Sequence, residues 1–327
     1  MNENAARHKH SVSRFVTSAA PLALLLLLAL FPLVDPGPNA IRLLFISLVW
    51  ITASVAWNIL GGFAGQVSFG FAVFYGLGAY TTAISLNAGF DRLTSLVLAG
   101  IVGAITSFLI GLPTFRLRGP YFAIATIGVS EAVRVVMTNL AVTGGASGYR
   151  VSEKGAFNQN LHFYVALGLA AGALAISMWV RHSKFGLALI SIREDEDAAS
   201  DLGVNPYGAK LMAHALAAAL TAAAGGVYAG YAAFVHPNGV FGFDISVAIL
   251  LMPIIGGVGT VWGPVIGAVV YGLVQEELIA SFPQFHLLLY GGLLILIVLF
   301  EPSGVMGLFQ KASHLLLRAR SDVGAHS

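Results

Sequence analysis

The sequence predicts an all-α integral membrane protein, a bundle of about ten transmembrane helices with a broken or re-entrant glycine-rich segment. Three observations lead to this prediction. Of the 327 residues, 57% are hydrophobic, only 10% are charged, and the apolar residues form long segments. Soluble domains carry about 25% charged residues because their surface faces water. A chain with so little charge exposes much of its surface to lipid.

Apolar segments long enough to cross a hydrocarbon layer of about 30 Å define the predicted spans. They lie at 15–34, 39–60, 66–88, 93–115, 119–139, 161–180, 208–234, 244–258, 263–281 and 285–302. The first segment is too long for a secretion signal and lacks a small-residue cleavage site. Glycines between residues 256 and 263, followed by Pro264, separate two of the last segments and predict the break.

Basic residues predict the orientation, because short loops rich in Lys and Arg stay in the cytoplasm. Four clusters fall on one side of the membrane: Arg7 to Arg14, Arg116 and Arg118, loop 181–207, and Lys311 to Arg320. We therefore expect a cytoplasmic N-terminal tail at 1–14, a transmembrane domain at 15–302 and a cytoplasmic C-terminal tail at 303–327. Both termini are predicted to be cytoplasmic.

Several chemistries are excluded or disfavoured. The chain has no cysteine, so disulfides and thiolate metal sites are impossible. No Gly-x-x-x-x-Gly-Lys-Ser/Thr sequence is present, so any nucleotide must be held by another protein. The net charge of +2 is small and says nothing about nucleic acid, and we expect no nucleic-acid partner. His214 is a lone imidazole in a span, which favours a packing role over metal binding.

Few polar residues lie inside the spans, where ionisable groups usually face the bundle interior or a water-filled cavity. Glu131 and Arg134 are spaced by three residues on one helix face, and we expect them to form an ion pair. Glu131 is also a candidate for the translocation path. Glu276 and Glu277 lie near the outer end of a span, where they are either interfacial or in contact with an external protein.

Polar residues also flank a glycine-rich break at residues 61–70. Asn58, Gln66 and Ser68 are candidates for a polar path, because discontinuous helices expose backbone groups in transporters. Helix packing and satisfaction of the local backbone explain these residues equally well. The segment from Gly61 to Leu77 also loosely matches the segment from Gly256 to Leu273, which indicates either an internal duplication or repeated glycine-rich composition.

The longest predicted cytoplasmic loop, 181–207, contains a short charged helix. It includes Asp197-Ala198-Ala199 and stops at Gly203, with Asn205 and Pro206 preventing its continuation. The preceding Arg193 and Glu194 belong to a flank of mixed charge, which suits a polar protein interface better than anionic lipid. The alternative is a solvated connector helix.

This loop resembles a known signature. An acidic residue, two alanines, three residues and a glycine resemble the motif by which permeases of ATP-binding-cassette (ABC) importers engage their ATPases, with Asp197 where Glu is more usual. The ordered set of fragments between about residues 40 and 305 resembles the branched-chain amino-acid permease family, in particular its LivM-type member. These fragments are Gly61-Gly-Phe-Ala-Gly-Gln-Val-Ser-Phe-Gly70, Leu117-Arg-Gly-Pro-Tyr-Phe122, Thr143-Gly-Gly-Ala-Ser-Gly148, Ser191-Ile-Arg-Glu-Asp195, Lys210-Leu-Met-Ala213 and Ile255-Gly-Gly-Val-Gly259.

The resemblance implies an inner-membrane importer subunit for branched-chain or other amino acids. Its implied partners are a second related permease, two cytoplasmic ATPases that hold the ATP, and an external solute-binding protein; the chain itself is expected to bind no cofactor. The residues implied in ATPase coupling are Arg193, Glu194, Asp197, Ala198, Ala199 and Gly203. The hydrophobic-Pro ending of longer forms of the signature is missing after Gly203.

Other transport mechanisms remain as alternatives. An ion-coupled secondary transporter would need a carboxylate or ion site inside the spans, and Glu131 is the candidate. A channel would need a filter loop or a charged ring, neither of which is visible in the sequence. A membrane enzyme would need paired carboxylates, a histidine cluster or a nucleophile elbow, and these are lacking.

Overall fold

The computed structural model describes residues 28–34, 37–151 and 158–281, together with 288, 292 and 304–307. Regular secondary structure in this part of the chain is helical except for one two-stranded ribbon. The helices are α1 (Pro38–Asn58), α2 (Phe71–Asn87), α3 (Arg92–Thr114), α4 (Pro120–Asn139), α5 (Gln159–His182), α6 (Lys184–Glu194), α7 (Glu196–Asp201), α8 (Pro206–Ala232), α9 (Pro237–Val240), α10 (Phe243–Gly256) and α11 (Gly263–Ser281). Short 3-10 turns lie at Phe31–Val34, Ala141–Thr143 and Gly145–Ser147.

The ribbon joins two connections between helices. Strand β1 (Tyr149–Arg150) pairs antiparallel with strand β2 (Phe234–Val235), so that Tyr149 lies opposite Val235. Strand β2 directly follows α8, and β1 follows the turns after α4. The ribbon therefore ties together the chain segments that leave the C-terminal ends of α4 and α8.

Six helical stretches of the described chain are long and apolar enough to cross a membrane. They are Pro38–Phe63, Arg92–Thr114, Pro120–Asn139, Gln159–His182, Pro206–Ala232 and Pro237–Gly256. The first five coincide with predicted spans, and the sixth begins before the span predicted at 244–258. These helices confirm the prediction of an all-α membrane protein.

The predicted count of ten spans stays a prediction. Most of 15–34 and almost all of 285–302 lie outside the described residues. The span predicted at 66–88 starts too early, because the chain between Ala64 and Gly70 is not helical and α2 begins only at Phe71. Span 263–281 is present as helix α11.

The glycine-rich break at 61–70 is real and follows directly from α1. The helix continues as one turn of π-helix at Ile59–Phe63 and then leaves helical geometry. A Cβ on Gly61 would lie 2.3 Å from the ring of Trp57, so only glycine fits beside this indole. Gly65 has a φ of +69°, a left-handed conformation that glycine adopts without steric cost. Irregular backbone at this depth has to be satisfied within the protein.

The second glycine cluster forms the turn of a helical hairpin. Helices α10 and α11 are joined by residues 257–262, in which Gly257 and Gly259 have positive φ values of 127° and 79°. A Cβ on Gly267 would lie 1.7 Å from the carbonyl oxygen of Met252, so the two helices touch backbone to backbone. The predicted break is therefore this turn. Re-entry of the hairpin into the membrane stays a prediction.

Close backbone contact also fixes the centre of the bundle. A Cβ on Gly78 of α2 would lie 1.9 Å from the carbonyl oxygen of Ala222, and a Cβ on Gly225 would lie 1.9 Å from that of Tyr75. Both contacts join α2 to α8. Helices α1, α8 and α10 are mostly buried, whereas α3 and α4 lie at the margin and expose most of their surface.

Candidate functional site

The loop predicted at 181–207 comprises the last two residues of α5, the helices α6 and α7, and the start of α8. Each helix begins with a side-chain cap. Asp195 separates α6 from α7, and its Oδ1 accepts hydrogen bonds from the backbone N–H groups of Asp197 and Ala198, both at 3.0 Å. The short charged helix ends before Gly203, whose φ is +87°. Asn205 caps the next helix and Pro206 begins it, which is how these two residues prevent continuation of α7.

In the described part of the chain, three polar contacts made by charged side chains attach this loop to the bundle. The Arg193 guanidinium donates to the carbonyl oxygen of Gly62 at 2.7 Å. The Lys210 ammonium of α8 binds the Glu196 carboxylate at 2.7 Å, and its side chain is only 2% exposed. The remaining contact joins Arg118, in the connection between α3 and α4, to Asp197 at 3.1 Å.

The Arg118–Asp197 pair differs from the other two contacts because both side chains are largely exposed. Its hydrogen bond raises the pKa of the Arg118 guanidinium above the ordinary value. Exposed pairs of this kind contribute about 0–1 kcal/mol. The firm attachment of the loop therefore comes from Arg193 and Lys210.

Arg193 enters a cluster that we name the glycine junction: Asn58, Gly62, Arg193, Gly259 and Thr260. The Asn58 amide donates to the carbonyl oxygen of Thr260 at 2.8 Å and accepts from the N–H of Gly259 at 2.9 Å. A Cβ on Gly259 would lie 2.3 Å from the Arg193 guanidinium, and one on Gly62 would lie 2.0 Å from Asn58 Oδ1. The junction therefore joins loop 181–207, the π-helical break and the α10–α11 turn through backbone atoms.

The predicted path residues fall into two groups. Asn58 is completely buried in the junction, and Gln66 and Ser68 lie just beyond it. The backbone N–H of Gln66 donates to Leu60, and the carbonyl oxygen of Ser68 accepts from the Trp57 indole at 2.9 Å. Backbone satisfaction thus accounts for the break around Ser68. Glu131 does not join this group.

Glu131 lies on the exposed side of α4, and its predicted pairing with Arg134 is confirmed. Arg134 Nε donates to Glu131 Oε2 at 2.9 Å, and a second bond joins Nη2 to Oε1. The remaining terminal nitrogen of Arg134 donates to Asn238 Oδ1 of α9 at 2.6 Å. No local sequence pattern indicates the contact with Asn238, which is 104 residues from Arg134 in the chain.

His214 lies among aromatic rings, as a packing residue would. The ring centroids of Phe74 and Phe115 are 5.1 and 5.3 Å from that of the imidazole. In the described residues, no group of three His, Cys, Asp or Glu side chains is placed to hold a metal ion. The side chains of Glu276 and Glu277 lie outside the described part.

The comparison with known proteins identifies the family. Residues 39–298 match the family model described as branched-chain amino acid transport system / permease component. The chain belongs to this family. The permease is 31% identical to the high-affinity branched-chain amino acid transport system permease protein LivM of Salmonella typhimurium, over 87% of this chain and 74% of that protein.

Two further relatives agree with this assignment. LivM of Escherichia coli shows the same identity and coverage. The permease protein LivH of Escherichia coli is 24% identical, over 78% of this chain and 90% of that protein. No solved structure matches the chain.

Three of the six fragments that resemble the family meet in this permease. Segments 61–70, 191–195 and 255–259 supply three of the five residues of the glycine junction, Gly62, Arg193 and Gly259. The two glycine segments that resemble one another also converge, because Tyr75 and Tyr271 both contact the ring of Trp50, at centroid distances of 6.0 and 6.4 Å. The geometry places segments 61–70, 191–195 and 255–259 at one connection between the loop and the helices.

Sequence reasoning missed the contacts of two of the three cations that attach the loop, Lys210 and Arg118. Lys210 stands in the first part of an otherwise apolar helix, and such a lysine needs a carboxylate partner. The sequence therefore indicates that Lys210 has a carboxylate partner. It does not indicate that this partner is Glu196, because the pairing depends on the turn between α7 and α8. Arg118 is predicted only as part of a basic cluster and of a family-like fragment, with no partner for its charge.

Proposed function

We propose that this permease is the membrane-spanning subunit of an ABC importer that carries branched-chain or other amino acids. An external binding protein delivers the solute, a second related permease completes the path, and two cytoplasmic ATPases bind and hydrolyse ATP. The chain binds no cofactor itself. It lies in the inner (plasma) membrane with about ten spans and both termini in the cytoplasm. Family membership and the functions named for the LivM and LivH relatives support this proposal.

The docking surface for an ATPase is the exposed side of α7 and its flanks. Glu194, Asp197, Ala198 and Gly203 are exposed, as the coupling role requires. Ala199 is only 2% exposed and instead packs inward, so it supports the loop rather than touching a partner. Leu202 is 84% exposed, and an apolar side chain presented on a charged helix is suited to a pocket of a partner protein.

The contact between Arg193 and Gly62 is the observation that carries the coupling mechanism. ATP-driven closure of the ATPases displaces α7, and α6 follows because Asp195 directly connects the two helices. Arg193 then moves the π-helical break and, through Asn58, the turn at Gly259. In this mechanism the solute path changes shape at Asn58, Gln66 and Ser68. Glu131 lies on the wall of the same path.

Co-purification tests the docking surface. We expect Leu202→Ser to reduce recovery of the ATPases with the permease, while membrane insertion stays normal. Val142→Ser is the matched control, because Val142 is also exposed but follows the C-terminal end of α4, whereas the loop contacts Arg118 just before the N-terminal end of that helix. Equal recovery with both variants would contradict docking through α7.

An uptake assay separates this proposal from an ion-coupled secondary transporter. Vesicles that contain the complete complex should accumulate amino acid only with internal ATP and external binding protein, and an ionophore should have no direct effect. Glu131 is bound to Arg134 rather than standing alone as an ion-coupling carboxylate would, which favours the ATP-driven mechanism. Uptake driven by an ion gradient without ATPases would refute it.

A further inference from the structure

The ion pair of α4 has an unusual position for a charged pair in a membrane-spanning helix. The side chains of Arg134 and Glu131 are 29% and 55% exposed, and Asn238 beside them is also exposed. The buried side of α4 carries other residues, among them Phe122, Thr126, Ser130 and Met137. The three polar groups therefore face away from the bundle that this chain forms by itself.

The ion pair lies inside helix α4, between one and three turns from its C-terminal end. Helix α4 ends at Asn139, so a rise of 1.5 Å per residue puts Arg134 about 8 Å and Glu131 about 12 Å from its end. An arginine that faced lipid would extend toward the head groups. Arg134 instead reaches back one turn, toward the middle of the helix, where it binds Glu131.

Helix α3 provides the comparison. Its most exposed side chains are all apolar: Leu93, Val97, Ile101, Ile105, Phe108, Leu109 and Leu112. This composition suits a surface that faces lipid. The exposed side of α4 mixes Ile124 and Ile127 with the charged pair, and charged groups at this depth usually face a water-filled cavity or another protein.

We propose that Glu131, Arg134 and Asn238 form the wall of the solute path and bind the two charged groups of a zwitterionic amino acid. This inference rests on the proposed function. Arg134 offers paired N–H donors that fit a carboxylate, and Glu131 offers acceptors for an ammonium group. As an amino acid passes, its carboxylate binds Arg134 in place of Glu131, and its ammonium group binds Glu131 in place of Arg134. No charged group is then left without a partner. Asn238 holds the guanidinium in place from α9.

Cysteine labelling tests whether this side of α4 faces water. The natural chain has no cysteine, so Ile127→Cys, one turn from Glu131, and Ile105→Cys on α3 each give a single reactive site. In the complete complex, a membrane-impermeant thiol reagent should modify the α4 site about tenfold faster or more, because the reactive thiolate needs water. Equal rates at the two positions would overturn the proposal.

Uptake measurements test the zwitterion chemistry. Glu131→Gln and Arg134→Gln should each lower ATP-driven uptake by about tenfold, the factor expected for losing one hydrogen bond to a charged group. Arg150→Gln, which removes an exposed arginine from strand β1, should leave uptake unchanged. Wild-type uptake in the two α4 variants would overturn the proposal.

A double variant separates ligand binding from structural support. Glu131→Arg with Arg134→Glu retains an ion pair but reverses its order along the helix. We expect uptake to remain low while the complex still assembles, whereas full recovery would assign the pair a structural role and overturn the inference. If the wild-type complex carries no amino acid at all, the proposed function fails, and the labelling experiment still decides whether α4 faces water.

Discussion

The guanidinium of Arg193 lies 2.7 Å from the carbonyl oxygen of Gly62, although 131 residues separate them in sequence. The donor belongs to the end of α6, and the acceptor belongs to the π-helical turn at the end of α1. A side chain thus binds a main-chain atom at the point where the helix is irregular. Movement of the loop acts directly on the backbone there.

Replacement of Arg193 should uncouple the loop from the helices. We expect Arg193→Ala to lower ATP-dependent uptake about tenfold, because a hydrogen bond from a charged group contributes about 1.5–3 kcal/mol. ATPase recovery in co-purification should stay close to that of the wild type. Arg181→Ala is the control, since this arginine is also exposed and lies in the same loop. Unchanged uptake in Arg193→Ala would remove the basis for the coupling mechanism.

Replacement of Asn58 should destabilise the protein. Asn58→Ala leaves the N–H of Gly259 and the carbonyl oxygen of Thr260 without their partner, at about 1–3 kcal/mol for each group. The midpoint of thermal unfolding in detergent should therefore fall. Asn139→Ala is the control, because Asn139 is exposed and bonds only locally to Val135. A midpoint equal to that of the control would show that the amide does not hold the turn.

The buried pair of Lys210 and Glu196 should be sensitive to removal of one partner. Lys210→Met leaves the carboxylate without its counter-ion, and we expect a loss of about 1–3 kcal/mol after allowing for the partial exposure of Glu196. The double variant with Glu196→Gln should recover part of this loss, because no charge is then left without a partner. Thermal unfolding of the four proteins measures the interaction. Strictly additive losses would rule out a direct energetic contact.

Glycines of the same chain should differ sharply in their tolerance of alanine. Gly78→Ala puts a methyl group 1.9 Å from the carbonyl oxygen of Ala222, so α2 and α8 must separate, and we expect little folded protein. Gly168→Ala meets nothing within 4 Å and should be neutral or stabilising by up to about 1 kcal/mol, since alanine is the better helix former. Recovery of monodisperse protein after purification distinguishes them. Comparable recovery would contradict the tight crossing.

Properties that depend on one segment could be predicted from the sequence. The apolar lengths, the breaks at Gly61–Gly70 and at 256–263, and the pairing of Glu131 with Arg134 all follow from local composition and spacing. The inward orientation of Ala199 could not be predicted, because it depends on the helix phase that the Asp195 cap sets. The hydrogen bonds of Asn58 to Gly259 and Thr260 depend on how the break at 61–70 packs against the turn at 257–262. These two segments are about 200 residues apart, and no local sequence pattern indicates how they align.

Helix α8 is held at both ends, at Lys210 by Glu196 and just beyond Ala232 by the β-ribbon. With 27 residues it is about 40 Å long and behaves as a stiff rod. A push delivered to α7 therefore cannot simply slide this rod along its axis. Under the proposed mechanism it exerts a torque about the ribbon, and the largest displacement falls at the end of α8 that carries Lys210.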